Sequence, residues 1–121
     1  MSRLQSQSLL ERQWAGYPAT HRTRANLWIH MVAVPTFIGS TVALVVALTH
    51  LAWGATALAI VLAAASVWIQ GLGHRLEGVA AEPFTGPVNA VCRLVLEQWI
   101  TFPRFVLGGR WLVALRQSRQ S

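Results

Sequence analysis

At 121 residues the chain has room for one domain; 54% of it is hydrophobic and 12% charged, about half the charged share of a soluble domain. The net charge of +6 comes from ten arginines and four glutamates, with no lysine and no aspartate. Those arginines flank apolar stretches instead of clustering into a stripe, which argues against a nucleic-acid interface and for the lipid bilayer as partner.

Residues 1–25 form a polar, arginine-rich arm, expected on the cytoplasmic side. Within it Leu9, Leu10, Gln13, Trp14 and Tyr17 have the spacing of a short amphipathic helix lying on the bilayer surface, ended by Pro18. The arm has no apolar core of signal-peptide length, so no cleavable targeting segment is expected. Residues 27–48 carry no charge other than a protonatable His30, and at ~1.5 Å per residue they cross a hydrocarbon core of ~30 Å. Pro35 falls in the first turns of this helix, where neighbouring groups can cover its missing hydrogen bond. A tight turn is expected over 49–54, and 51–70 is a second uncharged span. Gly39, Ala43 and Ala47 on the first helix, and Ala55, Ala59 and Ala63 on the second, recur every four residues and predict a close antiparallel contact. Arginines lie before and after this hairpin and none in its turn, which predicts that both termini are cytoplasmic, in a bacterial inner membrane.

Residues 71–87, rich in glycine, proline and polar groups, read as a loop carrying part of the site. The segment 88–102 is a further apolar helix, interrupted by Arg93 and Glu97 four residues apart and broken by Pro103, Gly108 and Gly109. With the apolar run 111–115, the stretch 88–115 reads as helices at or in the membrane, placed at the interface in preference to a third crossing. Cys92, the single cysteine, excludes an intrachain disulfide and reads as a small packing residue. The expected fold is therefore all-α: an integral membrane helical hairpin with an additional interfacial or third membrane helix.

The polar residues converge on one end of that hairpin. Gln70, His74 and Glu77 share a helix face, as do Asn26 and His30. With the turn near Ala52, residues whose numbers sum to about 104 lie at equal depth. His30 is then level with His74, Asn26 with Glu77 or Arg75, and His21 with Glu82 or Pro83. Nine residues at ~100° each put His21 opposite His30, so it can join only from before the helix, folded back near Pro18. His50 lies in the opposite turn, a membrane span away, and reads as solvated. Ionisable groups at a membrane helix interface are costly and mark function. Two histidines and a carboxylate are the ligand set of non-haem Fe(II) oxygenases, and zinc accepts the same donors. On residues alone a zinc hydrolase and a non-enzymatic, lipid-organising protein with structural histidines stay open. No Ser/His/Asp set and no phosphate-binding glycine loop is evident.

The pattern Tyr17-x3-His21-x4-Asn26-x3-His30-x4-Pro35, followed by Gln70-x2-Gly73-His74-x2-Glu77 and Pro83, resembles the membrane family of fungal 2-hydroxy fatty acid dioxygenases and their bacterial relatives. The likeness covers residues 14–87. It implies an Fe(II)-dependent α-oxidation in which a 2-hydroxy fatty acid and O₂ give a fatty acid one carbon shorter. It further implies His21, His30, His74 and Glu77 as metal-site residues, with Asn26 and Glu77 as catalytic positions. Arg75, or Arg22 and Arg24, would meet the substrate carboxylate, and Gln70 stands on the substrate side.

Overall fold

A computed structural model describes residues 8–78 and 83–118, and every regular element among them is helical. Helix α1 (Leu9–Gly16) starts at Ser8, whose Oγ accepts from Glu11 N–H at 3.2 Å. After a 3₁₀ turn (Pro18–Thr20) comes α2 (Arg24–Thr49), capped by Thr23 Oγ1 accepting from Asn26 N–H. The second hairpin helix, α3, spans Trp53–Arg75. Then α4 (Pro87–Leu96), a π-helical segment (Glu97–Thr101) and α5 (Phe102–Leu107) run on continuously, and α6 (Arg110–Gln117) follows.

Between α2 and α3 the chain turns through a Schellman motif: Ala52 N–H donates to Ala47 O at 2.9 Å and Leu51 N–H to Leu48 O at 3.2 Å. The residue in the left-handed position is Leu51, at φ 53°. Both helices are long and apolar enough to cross a membrane, and only 22% of the apolar window of each is buried. Val42, Val45, Leu58, Val61 and Trp68 face outwards. A soluble core helix would bury such side chains, whereas lipid accepts them.

The contact between α2 and α3 is built from small residues, but on a different period from the one expected. Among the buried positions, Asn26, Ala33, Ser40 and Ala47 on α2, and Ala59, Ser66 and Gly73 on α3, are spaced by sevens. Ala47 and Ala59 are in this face, while Gly39, Ala43 and Ala55 are exposed. A seven-residue period belongs to the shallow left-handed crossing, whereas a four-residue stripe drifts off that seam within two turns. The hydroxyls inside the contact are satisfied by their own helix: Ser40 donates to Thr36 O, Thr56 to Ala52 O and Ser66 to Ala63 O.

At the end opposite the turn, the remaining helices pack around the start of α2. Tyr17, Leu27, Val34, Phe102, Phe105 and Trp111 form one buried cluster, and Trp111 Nε1–H donates to Leu27 O at 3.0 Å. Helix α1 packs on this cap: Gln13 Nε2–H donates to Arg93 O at 2.9 Å, and its Oε1 accepts from Thr101 Oγ1. Pro103 does not break the helix before it. The wider π turn that precedes it accommodates a residue lacking an N–H, and the chain bends only at Gly108 and Gly109, the latter at φ 80°. Cys92 is exposed and is not a packing residue.

Candidate metal centre

Three histidines and one glutamate meet at the open end of the hairpin. His21 closes the 3₁₀ turn, His30 is two turns into α2, His74 ends α3 and Glu97 opens the π segment. One potential ligand atom from each lies within 4.8 Å of all the others. The ring of His21 stacks on Tyr17 with centroids 3.7 Å apart, and its Nδ1–H donates to Tyr17 O at 2.8 Å. His30 Nδ1–H donates to Asn26 O at 3.0 Å. A carbonyl can only accept, so in each neutral ring the proton sits on Nδ1 and Nε2 carries a bare lone pair. Those two Nε2 atoms are 3.4 Å apart, and Glu97 Oε2 is 3.5 Å from one and 3.7 Å from the other. The His74 ring lies 4.9 Å from both other imidazoles.

Acceptors that face one another with no proton between them repel unless a cation is shared. The donor set fits a metal: ligands each ~2.1 Å from one ion stand roughly 3–3.5 Å apart. Nδ1–H bonds to main-chain carbonyls are the usual device that aims Nε2 at a metal.

Glu97 reaches the cluster through the π segment. Its neighbour Gln98 is fully buried and exchanges two amide hydrogen bonds with Gln70, at 2.9 and 2.8 Å. Thr101, also fully buried, is tied to Gln13. One extra residue in the turn lets all of these contacts be made together, and π-bulges recur at functional sites for that reason. The sequence reading treats Glu97 only as a charge interrupting an apolar helix. The signal it held was an isolated carboxylate followed by glutamine in a segment at membrane depth.

Glu77, expected among the ligands, is not in this group. Its carboxylate turns to the start of α2 and accepts from Arg22 N–H (3.1 and 3.2 Å), Thr23 N–H (3.1 Å), Thr23 Oγ1 (2.9 Å) and Asn26 Nδ2 (2.9 Å). Burial pushes this carboxyl up, but bonds from the Thr23 backbone, the Asn26 amide and the Arg22 backbone prevail and lower it below 4.5. Unpaired backbone N–H groups at a helix start attract a carboxylate, which accounts for its direction. Asn26 Nδ2 also donates to Thr20 O at 3.1 Å, and its Oδ1 rests against Gly73, where a Cβ would collide with it. Glu82 lies outside the described residues.

A cavity of about 740 Å³ opens beside the cluster, lined by His21, His74, Glu97, Tyr17 and residues of α1, α3 and α4. Gln70 and Arg75 are on its wall, with the Gln70 amide committed to Gln98. The buried Tyr17 hydroxyl has no hydrogen-bond partner, and burial, then the charge of Glu97, push it well above its ordinary value. Arg22 lies instead on a second cavity, of about 880 Å³, on the other side of His21 and Glu77. Arg24 is exposed, and His50 is exposed beside the hairpin turn, far from the other histidines.

These features define a helical membrane protein with a three-histidine, one-carboxylate cluster able to hold a metal ion. The chain belongs to the family described as 2-hydroxy-palmitic acid dioxygenase Mpo1-like, whose match covers residues 7–106. No curated protein and no solved structure matches it at a significant level.

Proposed function

We propose that the protein is a non-haem iron dioxygenase that shortens 2-hydroxy fatty acids by one carbon, with His21, His30, His74 and Glu97 holding the metal. The observation that carries this reading is the meeting of the His21 and His30 Nε2 atoms and a Glu97 carboxylate oxygen within 3.4–3.7 Å, each imidazole held through Nδ1 on a main-chain carbonyl. The family description supplies the substrate class. In the reaction the C1–C2 bond breaks, C2 rises from alcohol to carboxyl, and C1 leaves as CO₂. One O₂ takes the four electrons and water is the other product, so no further reductant is required. Bound iron would supply the one-electron chemistry that O₂ needs.

The chain's own residues orient and hold. The carbonyls of Tyr17 and Asn26 fix two ring orientations. Glu77 ties down the strand that leaves His21, and Arg75, beside His74 on the cavity wall, offers its charge to the substrate carboxylate. The Tyr17 hydroxyl, buried on the cavity wall close to Glu97, faces a group bound in the cavity. Both termini and the site face the cytoplasm, because no arginine lies near the turn.

The test is metal per chain in protein purified anaerobically, together with O₂ uptake on adding 2-hydroxypalmitate. His30→Ala and Glu97→Gln should each lose stoichiometric iron, and His50→Ala, at the far end, should keep it. Full iron in both site variants would overturn the ligand set. Stoichiometric zinc without O₂ uptake by the parent would replace the dioxygenase with a hydrolase, and no metal at all would favour a structural role.

A further inference from the structure

The cavity beside the cluster has a lining of mixed character. Its lining combines His21, His74, Glu97 and the arginines Arg12, Arg75 and Arg93 with the apolar Leu9, Val67 and Leu94. Its floor is a face of α3 on which Val67 precedes Gly71 by four residues, and His74 and Arg75 follow Gly71 by three and four. Val67 lies one helical turn closer to the hairpin turn than Gly71, and so deeper in the apolar span. The same face runs on through Ala64 to Ile60, both exposed where lipid would be. The floor thus leads from a polar, cationic head region to the hydrocarbon.

Gly71 is the unexplained residue in that floor. A helix interior disfavours glycine, and α3 has two in its last turns. Gly73 is accounted for by packing, since a Cβ there would strike Asn26; a Cβ on Gly71 would meet nothing within 4 Å. Its backbone is not left-handed either. Neither packing nor conformation within the chain calls for a glycine at 71. The space a side chain would fill is the cavity itself.

We propose that the cavity over Gly71 is an acyl-chain groove. A long-chain 2-hydroxy acid lies with its carboxyl end at His74, Glu97 and Arg75, and its tail crosses Gly71 and passes Val67 and Leu94 into the lipid. This rests on the reading of the site as one for 2-hydroxy acids, and it adds the residue that sets which tails can enter. A larger side chain at 71 obstructs the tail and not the head, so its effect depends on chain length. Displacing two methylenes from an apolar contact corresponds to about tenfold or more in affinity.

The experiment is equilibrium binding of radiolabelled 2-hydroxypalmitate, and of 2-hydroxybutyrate as a probe too short to reach Gly71, to the full chain in detergent, with iron per chain measured alongside. Gly71→Leu should bind 2-hydroxypalmitate about tenfold or more weakly, change 2-hydroxybutyrate by less than about twofold, and hold as much iron as the parent. Leu94→Trp, on the facing wall, should give the same length-selective loss, which covers a Gly71→Leu protein that fails to fold. If folded, metal-loaded variants bind both acids as the parent does, or lose both alike, the groove is refuted. A parent that prefers the long acid but consumes no O₂ leaves the groove standing and overturns the dioxygenase. A parent that consumes O₂ while Gly71→Leu and Leu94→Trp are indifferent to length does the reverse.

Discussion

Glu77→Gln separates the two acidic residues at this end of the hairpin. The Glu77 carboxylate accepts from four donor groups, three of which fall on Oε2 and one of which is shared with Oε1. Glutamine can keep its oxygen at the Oε2 position, but its NH₂ then faces Arg22 N–H, and the remaining bonds lose their charged acceptor. Losing one charge-assisted bond and weakening three others amounts to about 3 kcal/mol. The thermal midpoint in detergent should fall accordingly. The segment released follows His21 directly, so metal affinity should drop about 10- to 100-fold, the range for groups that orient a ligand. Iron retained against a graded chelator reads this, with Glu97→Gln as the variant that loses a donor outright. The pH dependence has a definite sign. The folded Glu77 carboxyl lies below 4.5, so its stabilisation is complete above that value and disappears as pH falls through the folded one. Glu77→Gln should lack this segment and converge on the parent in acid. If instead Glu77→Gln removes iron as fully as His30→Ala does, with an unchanged melt, Glu77 is itself a ligand and the assignment to Glu97 is wrong.

Gly73→Ala should cost about 1–3 kcal/mol, since its Cβ meets the Asn26 side chain; a melt equal to the parent's would refute the close approach. Chelation should speed amide exchange across 87–107 and leave 48–59 unchanged, because Glu97 is the one cluster residue that 87–107 contributes among the described residues. Protection that does not respond in iron-loaded protein would sink the four-residue site. Cysteines introduced at Ser2 and Gln120 in a Cys92→Ala background should resist impermeant reagents in intact cells, whereas one at Ala52 should react. Labelling of position 2 from outside would reverse the topology.

How far the site could be read from the sequence follows the reach of each local rule. Rise per residue is nearly constant in a helix, so counting back from the turn puts His30 and His74 at one level, and their rings are 4.9 Å apart. The same arithmetic requires His21 to fold back, as the 3₁₀ turn after Pro18 makes it do. Composition identified small residues as the hairpin contact, but the crossing angle chooses among them, and it favours Ser40 over Gly39. Amphipathic spacing in α1 is the same whether its apolar side meets lipid or protein, and the structure packs it on α4 and the π segment. Glu97 escaped because a π turn has no periodic signature. It depends on Gln70 meeting Gln98 and Gln13 meeting Thr101, pairs separated by 28 and 88 residues.

Asn26 shows how much of a residue's surroundings its type alone leaves open. As a buried amide one turn from His30, it reads as a catalytic group. Its main-chain oxygen and Nδ2 are used within the fold, while the buried Oδ1 accepts no hydrogen bond among the described residues. The main-chain oxygen holds His30, Nδ2 spans Thr20 and Glu77, and Oδ1 packs on Gly73. Thr20 adjoins His21 and Gly73 adjoins His74, so this one side chain and its carbonyl reach the three segments that carry the histidines of the cluster. It lines neither cavity, and a substrate there has no Asn26 atom to touch. Within the fold Asn26 thus links the segments that carry His21, His30 and His74. The groups left to meet a bound acid are those on the cavity wall: Arg75, the Tyr17 hydroxyl and the open face of the cluster itself.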